Sequence, residues 1–320
     1  MNKSQKNPVG LVERFGIPPF SVLDAKQGVW LDRKREWMRL GIQSEVGRTA
    51  RAFNIKEWMD EKTDVNNSGS MKDTSIFDPV LCECIYNWFS PDENCKILDP
   101  FAGGSVRGIV ASRLGHDYIG IELREEQVLA NRIQGEAILT NEGDGLCEWI
   151  TGDSLVALDG IDDNSQDLII TCPPYGDLEV YSDDPADLSN MTLQSFDEVY
   201  AQIMTKAIRK LKPGRFAAVV VGDYRNKKTG FLTNFVSKTI AACENHTSDP
   251  LTACGLWNEI ILLNNLGSLP LRVAKQFQNN RKIGKGHQNV MVFYKGNPAL
   301  LKTEFRTLGL IEQREEPDWL

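Results

Sequence analysis

The chain reads as an α/β fold on a mostly parallel sheet, with ligands taken at the carboxyl ends of the strands. Three observations predict this. Short apolar strands alternate with helical stretches through most of the 320 residues, the pattern that calls for a parallel sheet covered by helices. Two of the strands end in motifs that leave the sheet abruptly, Asp99-Pro100-Phe101-Ala102-Gly103-Gly104 and Cys172-Pro173-Pro174-Tyr175. An acid, Glu122, closes a further strand 23 residues beyond Asp99, where doubly wound sheets place the carboxylate that takes ribose hydroxyls.

In chain order, residues 1–70 read as an irregular N-terminal extension rich in Pro, Gly and charge, ending in the linker-like Asn66-Asn-Ser-Gly-Ser70. A helix opens with Asp78 as N-cap and Pro79 in the first helical position. Strands at 96–99, 117–121, 148–151 and 167–171 alternate with helices, one of them the stretch 109–114 after the glycine turn. A helix over 193–211 leads to a turn at Lys212-Pro213-Gly214 and a buried strand at 215–223. Segments 258–263 and 288–294 close the sheet as an antiparallel hairpin, so that 71–300 form one domain and 301–320 a tail.

The two strand-end motifs carry chemistry. Two prolines cannot donate to a sheet ladder, so the chain leaves the sheet at Pro173. It leaves with a bare carbonyl at Pro173 and an aromatic face at Tyr175, an acceptor beside a π-surface. That combination suits a planar amide or nucleobase whose exocyclic NH2 must be gripped, turned and attacked. In the first motif the glycines let backbone approach a ligand, and the following helix start offers unpaired N–H groups. The dinucleotide-binding GxGxxG is not matched, because Gly103 and Gly104 are adjacent and the next glycine is Gly108.

Composition sets limits. No 18-residue apolar run and no charged-then-apolar leader is present, which excludes a membrane-spanning or secreted reading. Seven scattered cysteines without Cys-x-x-Cys, with three histidines, point to reduced cytosolic thiols and no metal site. A net charge of -8 argues against non-specific coating of nucleic acid and leaves room for a local basic groove. Between Glu259 and Glu304 there is no acid, while Arg272, Lys275, Arg281, Lys282, Lys285, Lys295 and Lys302 fall there with Phe277, His287, Phe293 and Tyr294 interleaved. Such a stretch can neutralise several phosphates. Residues 26–56 carry eight basic residues against three acids, with Trp30 and Trp37; they read either as a further basic contact or as a solvated helix face whose tryptophans sit in the core. Residues 177–187 are acidic and are expected to contact the base, order a lid or face away.

Together, the Asp-Pro-Phe-Ala-Gly-Gly loop with Glu122 and the Cys-Pro-Pro-Tyr turn, in this order and 73 residues apart from Asp99 to Cys172, resemble the S-adenosylmethionine-dependent amino-methyltransferases that act on DNA bases. The resemblance implies a Rossmann-like, seven-stranded class I methyltransferase sheet with S-adenosyl-L-methionine as cofactor. Carried over, Thr74 and Ser75 belong to the motif touching the methionine end, and Asp99, Pro100, Phe101 and Gly103 to the main cofactor loop. Glu122 becomes the ribose acid, Asp153 and Ser154 the adenine-contacting turn, and Thr171 completes the set. Cys172, Pro173, Pro174 and Tyr175 become the catalytic turn. Arg272, Lys275, Arg281, Lys282, Lys285 and His287 fall to double-stranded DNA, and residues 1–70 become a candidate DNA-contacting lobe. Pro18-Pro19-Phe20 with Trp30 and Trp37, and the segment 178–185, look like a phage-borne DNA methylase group of the restriction-modification kind, which implies the cytoplasm of a bacterial host.

The implied mechanism is direct methyl transfer to an exocyclic amine of a flipped base. Cys172 stands where the family usually has Asp, Asn or Ser, and a thiol is a poor acceptor. Its size is nearest Ser, usual in cytosine-N4 enzymes, so the reading leans to cytosine N4 over adenine N6. Methylation of RNA guanine or protein glutamine remains open, as does a DNA-binding module with a decayed site. Cys172 as a covalent nucleophile fits less well, because carbon methylases place that Cys after a single proline.

Overall fold

A computed structural model describes residues 20–26, 28–43, 77–176, 182, 184–249, 251–264 and 269–305. The expectations for Thr74, Ser75, the linker at 66–70, the segment Pro18-Pro19 and most of the acidic loop lie outside these residues. One mixed sheet of eight strands organises the protein: β1 (Val22–Asp24), β2 (Lys96–Asp99), β3 (Asp117–Glu122), β4 (Cys147–Thr151), β5 (Gln166–Thr171), β6 (Leu211–Val221), β7 (Cys254–Leu263) and β8 (His287–Lys295), in the order 1-7-8-6-5-2-3-4. Neighbours are parallel except β8, which runs antiparallel to both β6 and β7. The order reverses at β2, with β3 and β4 on one side and β5 and β6 on the other. Such a reversal opens a crevice beyond the strand ends.

The strands read as continuous apolar runs because helices cover both faces. Ile97, Leu168, Ile170, Ala218 and Val220 face one core, which α1 (Gly28–Met38), α2 (Pro79–Phe89), α3 (Val106–Arg113) and α4 (Glu125–Ile138) cover. Leu98, Ile169, Ala217, Val219 and Val221 face the other, under α5 (Ser154–Ala157), α6 (Leu193–Lys210) and α7 (Phe235–Cys243). Asp78 caps α2 by accepting from the Val80 amide, with Pro79 in the first turn, as the sequence pattern requires.

Four expectations need correction. The sheet has eight strands and not seven: the eighth, β1, comes from the segment expected to be irregular and pairs with Ile261, Leu262 and Leu263. β7 and β8 pair antiparallel but are no hairpin, since α8 (Leu269–Asn280) stands between them. The turn expected at Lys212-Pro213-Gly214 lies inside β6 and not ahead of it: it forms a bulge in the register against β5, with Gly214 at φ +80° and Lys212 and Arg215 both pairing with Asp167. Lys295 is no phosphate contact, because its buried ammonium donates to the carbonyls of Ile208 (3.0 Å) and Leu211 (2.6 Å) and to Asn164 Oδ1 (2.9 Å). These carbonyls lie at the end of α6, where a cation is favoured. Phe293 and Tyr294 are core as well.

The basic stretch from Lys26 resolves, over its described part, in favour of a packed helix. Trp30 and Trp37 are 1% and 5% exposed. Arg33 grips the buried Glu83 with both Nε (2.7 Å) and a terminal nitrogen (2.8 Å), and Trp37 Nε1 donates to the same carboxylate at 2.7 Å. Among the described residues no helix is long and apolar enough to cross a membrane.

Gly108 marks where α3 lies closest to the sheet. A Cβ there would fall 2.7 Å from Trp149, 2.9 Å from Cys147 Sγ and 2.9 Å from Tyr118. Gly108→Ala is expected to cost about 1 to 3 kcal/mol of stability, the range for overpacking a filled core, read as a lower midpoint in urea unfolding.

Candidate active site

The site is built around the buried end of β2. Asp99, with no solvent exposure, accepts from Arg107 Nε (2.5 Å), Tyr118 Oη (2.9 Å), Thr171 Oγ1 (2.7 Å) and the Phe101 amide (3.1 Å). Burial works against the Arg107 charge, and Asp99 more than offsets it, so the guanidinium is held protonated. Arg107 also donates to the carbonyls of Phe101 (2.6 Å) and Ala102 (2.9 Å) and packs against the Phe77 ring at 4.5 Å. Asp99 and Thr171, expected to touch the cofactor, therefore have their side chains turned into the fold. They act on the site by holding the loop that follows β2.

That loop is pinned from three further elements. Glu122, at the end of β3, accepts from the Gly103 amide through Oε2 (3.0 Å) and from the Arg124 amide through Oε1 (3.1 Å). Asn131 of α4 donates to the Gly103 carbonyl at 2.7 Å, and the Ser154 hydroxyl donates to that of Pro100. Asp153 caps α5 through the Leu155 amide. Pro100, Phe101, Gly103, Glu122, Asp153 and Ser154 all line one cavity of about 590 Å³.

The same cavity is walled on its other side by Cys172, Pro173, Pro174 and Tyr175. The proline turn is anchored just beyond. Gly176 has φ +52°, and a Cβ on it would lie 2.1 Å from Tyr224 Oη, so glycine alone fits. The Tyr175 ring meets Tyr224 edge-on at 6.1 Å and Phe235 at 5.9 Å, and Gln288 Nε2 donates to its hydroxyl at 3.4 Å. Leu31 and Lys34 of α1 and Asp78 complete the wall. Reading 1–70 as irregular hid that contribution.

The expected basic set is only partly brought together. Lys275, Arg281 and Lys285 are exposed and Lys282 is half-buried, with Arg281 over the Phe277 ring at 5.3 Å. Arg272 lies on α8. His287 opens β8 opposite Leu263. Lys285 donates to Asn289 Oδ1 at 3.3 Å; partial desolvation lowers its pKa and nearby Asp223 partly offsets this. Because β8 is antiparallel, Lys302 follows its far end and sits on the opposite edge of the sheet from the cavity. Sequence reasoning missed Arg225, Lys227 and Lys228, on the loop that follows Tyr224, whose ring packs on Tyr175 of the cavity wall. The acid-free run between Asp223 and Glu244 is the signal that could have found them.

No known family profile matches the sequence, and no curated protein does. Among solved structures the chain is similar to TrmN from Thermus thermophilus, at 16% identity and a TM-score of 0.45, covering 68% of this chain and 49% of that one. It thus spans about half the length of that protein. It is also similar to an S-adenosylmethionine-dependent methyltransferase from Methanosarcina mazei (15% identity, TM-score 0.42, 66% and 96% covered). A third likeness is to a candidate DNA modification methylase from Thermus thermophilus (15% identity, TM-score 0.32, 48% and 53% covered). At this level the likeness is one of fold.

Asp99→Asn removes the charge opposite a buried guanidinium. It is expected to destabilise the protein by about 3 to 5 kcal/mol, the cost of breaking a buried ion pair, measured by chemical denaturation. A variant as stable as the parent would show that the Asp99–Arg107 pair does not hold the loop.

Proposed function

We propose that the protein transfers a methyl group from S-adenosylmethionine to an exocyclic amine of a base flipped from duplex DNA, with cytosine N4 favoured over adenine N6. One observation carries the reading: a single cavity is lined on one side by the glycine loop with Glu122 and on the other by the Cys172-Pro173-Pro174-Tyr175 turn. Its volume lies in the ordinary range for small-molecule sites. The donor set suits this cofactor. Glu122, held by the Gly103 amide, the Arg124 amide and the Arg124 guanidinium, lines the cavity as the carboxylate to take a ribose hydroxyl. Asp153 stands beside it for the adenine, and Phe101 and Leu123 add apolar wall.

The bound cofactor supplies a methyl on a sulfonium that is its own leaving group, so the protein's work is to position. Tyr175, fixed by Tyr224, Phe235 and Gln288, gives the extruded base a surface to rest on. The Pro173 carbonyl, with position 172, accepts hydrogen bonds from the target NH2 and draws its lone pair out of ring conjugation. Cys172 contributes little as an acceptor.

The direct test offers methyl-labelled cofactor to duplex DNA, RNA and protein, then digests the product to nucleosides for mass spectrometry. N4-methylcytosine or N6-methyladenine is expected; label in RNA or protein alone would overturn the reading. Glu122→Gln should weaken cofactor binding by about 1 to 3 kcal/mol, the worth of charge-assisted hydrogen bonds, as read by calorimetry. Tyr175→Ala should lower methylation far more than cofactor affinity. Cys172→Ser should keep or raise turnover, since it restores an oxygen of similar size, whereas a covalent nucleophile would lose nearly all activity.

A further inference from the structure

Beside the cavity stands a loop that the chemistry above leaves unused. β6 ends at the same sheet edge as β5, and residues 225–232 then fold back on themselves. Arg225 and Leu232 form an antiparallel bridge. The Asn226 amide donates to the Phe231 carbonyl (3.0 Å) and the Gly230 amide to that of Asn226 (2.8 Å). The Asn226 side chain accepts from the amides of Lys228 and Thr229 at 2.9 Å each, and Arg225 donates to the Gly230 carbonyl at 3.1 Å. These bonds all close within the loop, so its shape is set before any partner arrives.

The loop presents an apolar tip among cations. Phe231 is 76% exposed and Leu232 48%, an apolar tip beside the exposed Lys227 and Lys228. Lys282, from the excursion between β7 and β8, brings its ammonium alongside, within 3.7 Å of where a Cβ on Gly230 would lie. No acid falls between Asp223 and Glu244. The loop springs from Tyr224, whose ring packs edge-on against Tyr175, and Thr233 returns it to the Tyr224 carbonyl at 3.0 Å. A flat apolar side chain on a preformed, cationic loop is thus tied to the turn proposed to receive the flipped base.

A duplex that has lost a base from its stack presents a complementary surface, a gap walled by two base faces and flanked by phosphates. Proteins that distort DNA commonly fill such gaps with apolar wedges, and cations hold the flanking backbone. We infer that the 225–232 loop is a duplex-DNA wedge: Phe231 enters the stack where the target base departs, and Lys227, Lys228 and Lys282 hold the neighbouring phosphates. The inference rests on the proposed DNA reading and adds a residue and a role to it.

A wedge matters only where there is a stack to fill. Methyl transfer is therefore measured on unmethylated duplex DNA of mixed sequence and on the same DNA denatured to single strands. Phe231→Ala is expected to lower the duplex-to-single-strand activity ratio at least about tenfold, and Phe231→Trp to restore it, since gap filling requires a flat apolar side chain. Lys227→Glu with Lys228→Glu should reduce the slope of log affinity for the duplex against log salt by about 2. The exposure of Phe231 favours a folded variant, which the thermal melting curve checks. An unchanged ratio in Phe231→Ala, or equal losses on both substrates, overturns the wedge while DNA methylation stands. If the parent protein labels neither form of DNA, the wedge and the reading beneath it fall together.

Discussion

The structure depends on one carboxylate shut away from water. Asp99 draws a guanidinium from α3, a phenol from β3, a hydroxyl from β5 and an amide from its own loop onto two oxygens. A buried charge is tolerable only when paired and fully hydrogen-bonded, so these four elements are committed to one geometry at the point where the strand order reverses. Arg107 passes the constraint on to the carbonyls of Phe101 and Ala102. Two acids at adjacent strand ends thereby divide their labour: Asp99 shapes the loop from beneath, and Glu122 holds its rim while lining the cavity.

Much of this was legible in the sequence, for reasons that can be named. Strands covered on both faces appear as unbroken apolar runs, so β2, β3, β5 and β6 declared themselves. The spacing from Asp99 to Glu122 placed two strand ends side by side, and two prolines could not sit in a ladder. What stayed hidden depended on partners distant in the chain. Three residues of β1 carry no periodicity, and they form a strand only because β7 offers an edge. Trp30 and Trp37 could have faced water or core, and the deciding groups are Asp78 and Glu83, 48 and 46 residues on. A lysine in sequence reads as solvated, yet Lys295 is consumed by the end of a helix.

Charge is also sorted between the two edges of the sheet by strand direction. A contiguous basic stretch in sequence splits in space because β8 runs against its neighbours, leaving Lys282 and Lys285 near the cavity and carrying Lys295 and Lys302 away from it. The loop after β6 supplies Arg225, Lys227 and Lys228 at the edge that β8 deserts. An acidic protein can in this way keep a basic rim around one opening while its net charge disfavours indiscriminate contact with polyanions.

The position of β8 also sets a timetable. Among the described strands it is the last in chain order, yet it lies inside the sheet, between β6 and β7. Until residues 287–295 exist, β7 and β1 have no ladder joining them to the other five strands, and β6 shows an open edge of the kind that invites wrong partners. Insertion of the last strand closes that edge, seats Lys295 on the end of α6 and brings Gln288 to Tyr175. The cavity wall is therefore finished only once β8 has taken its place between β6 and β7.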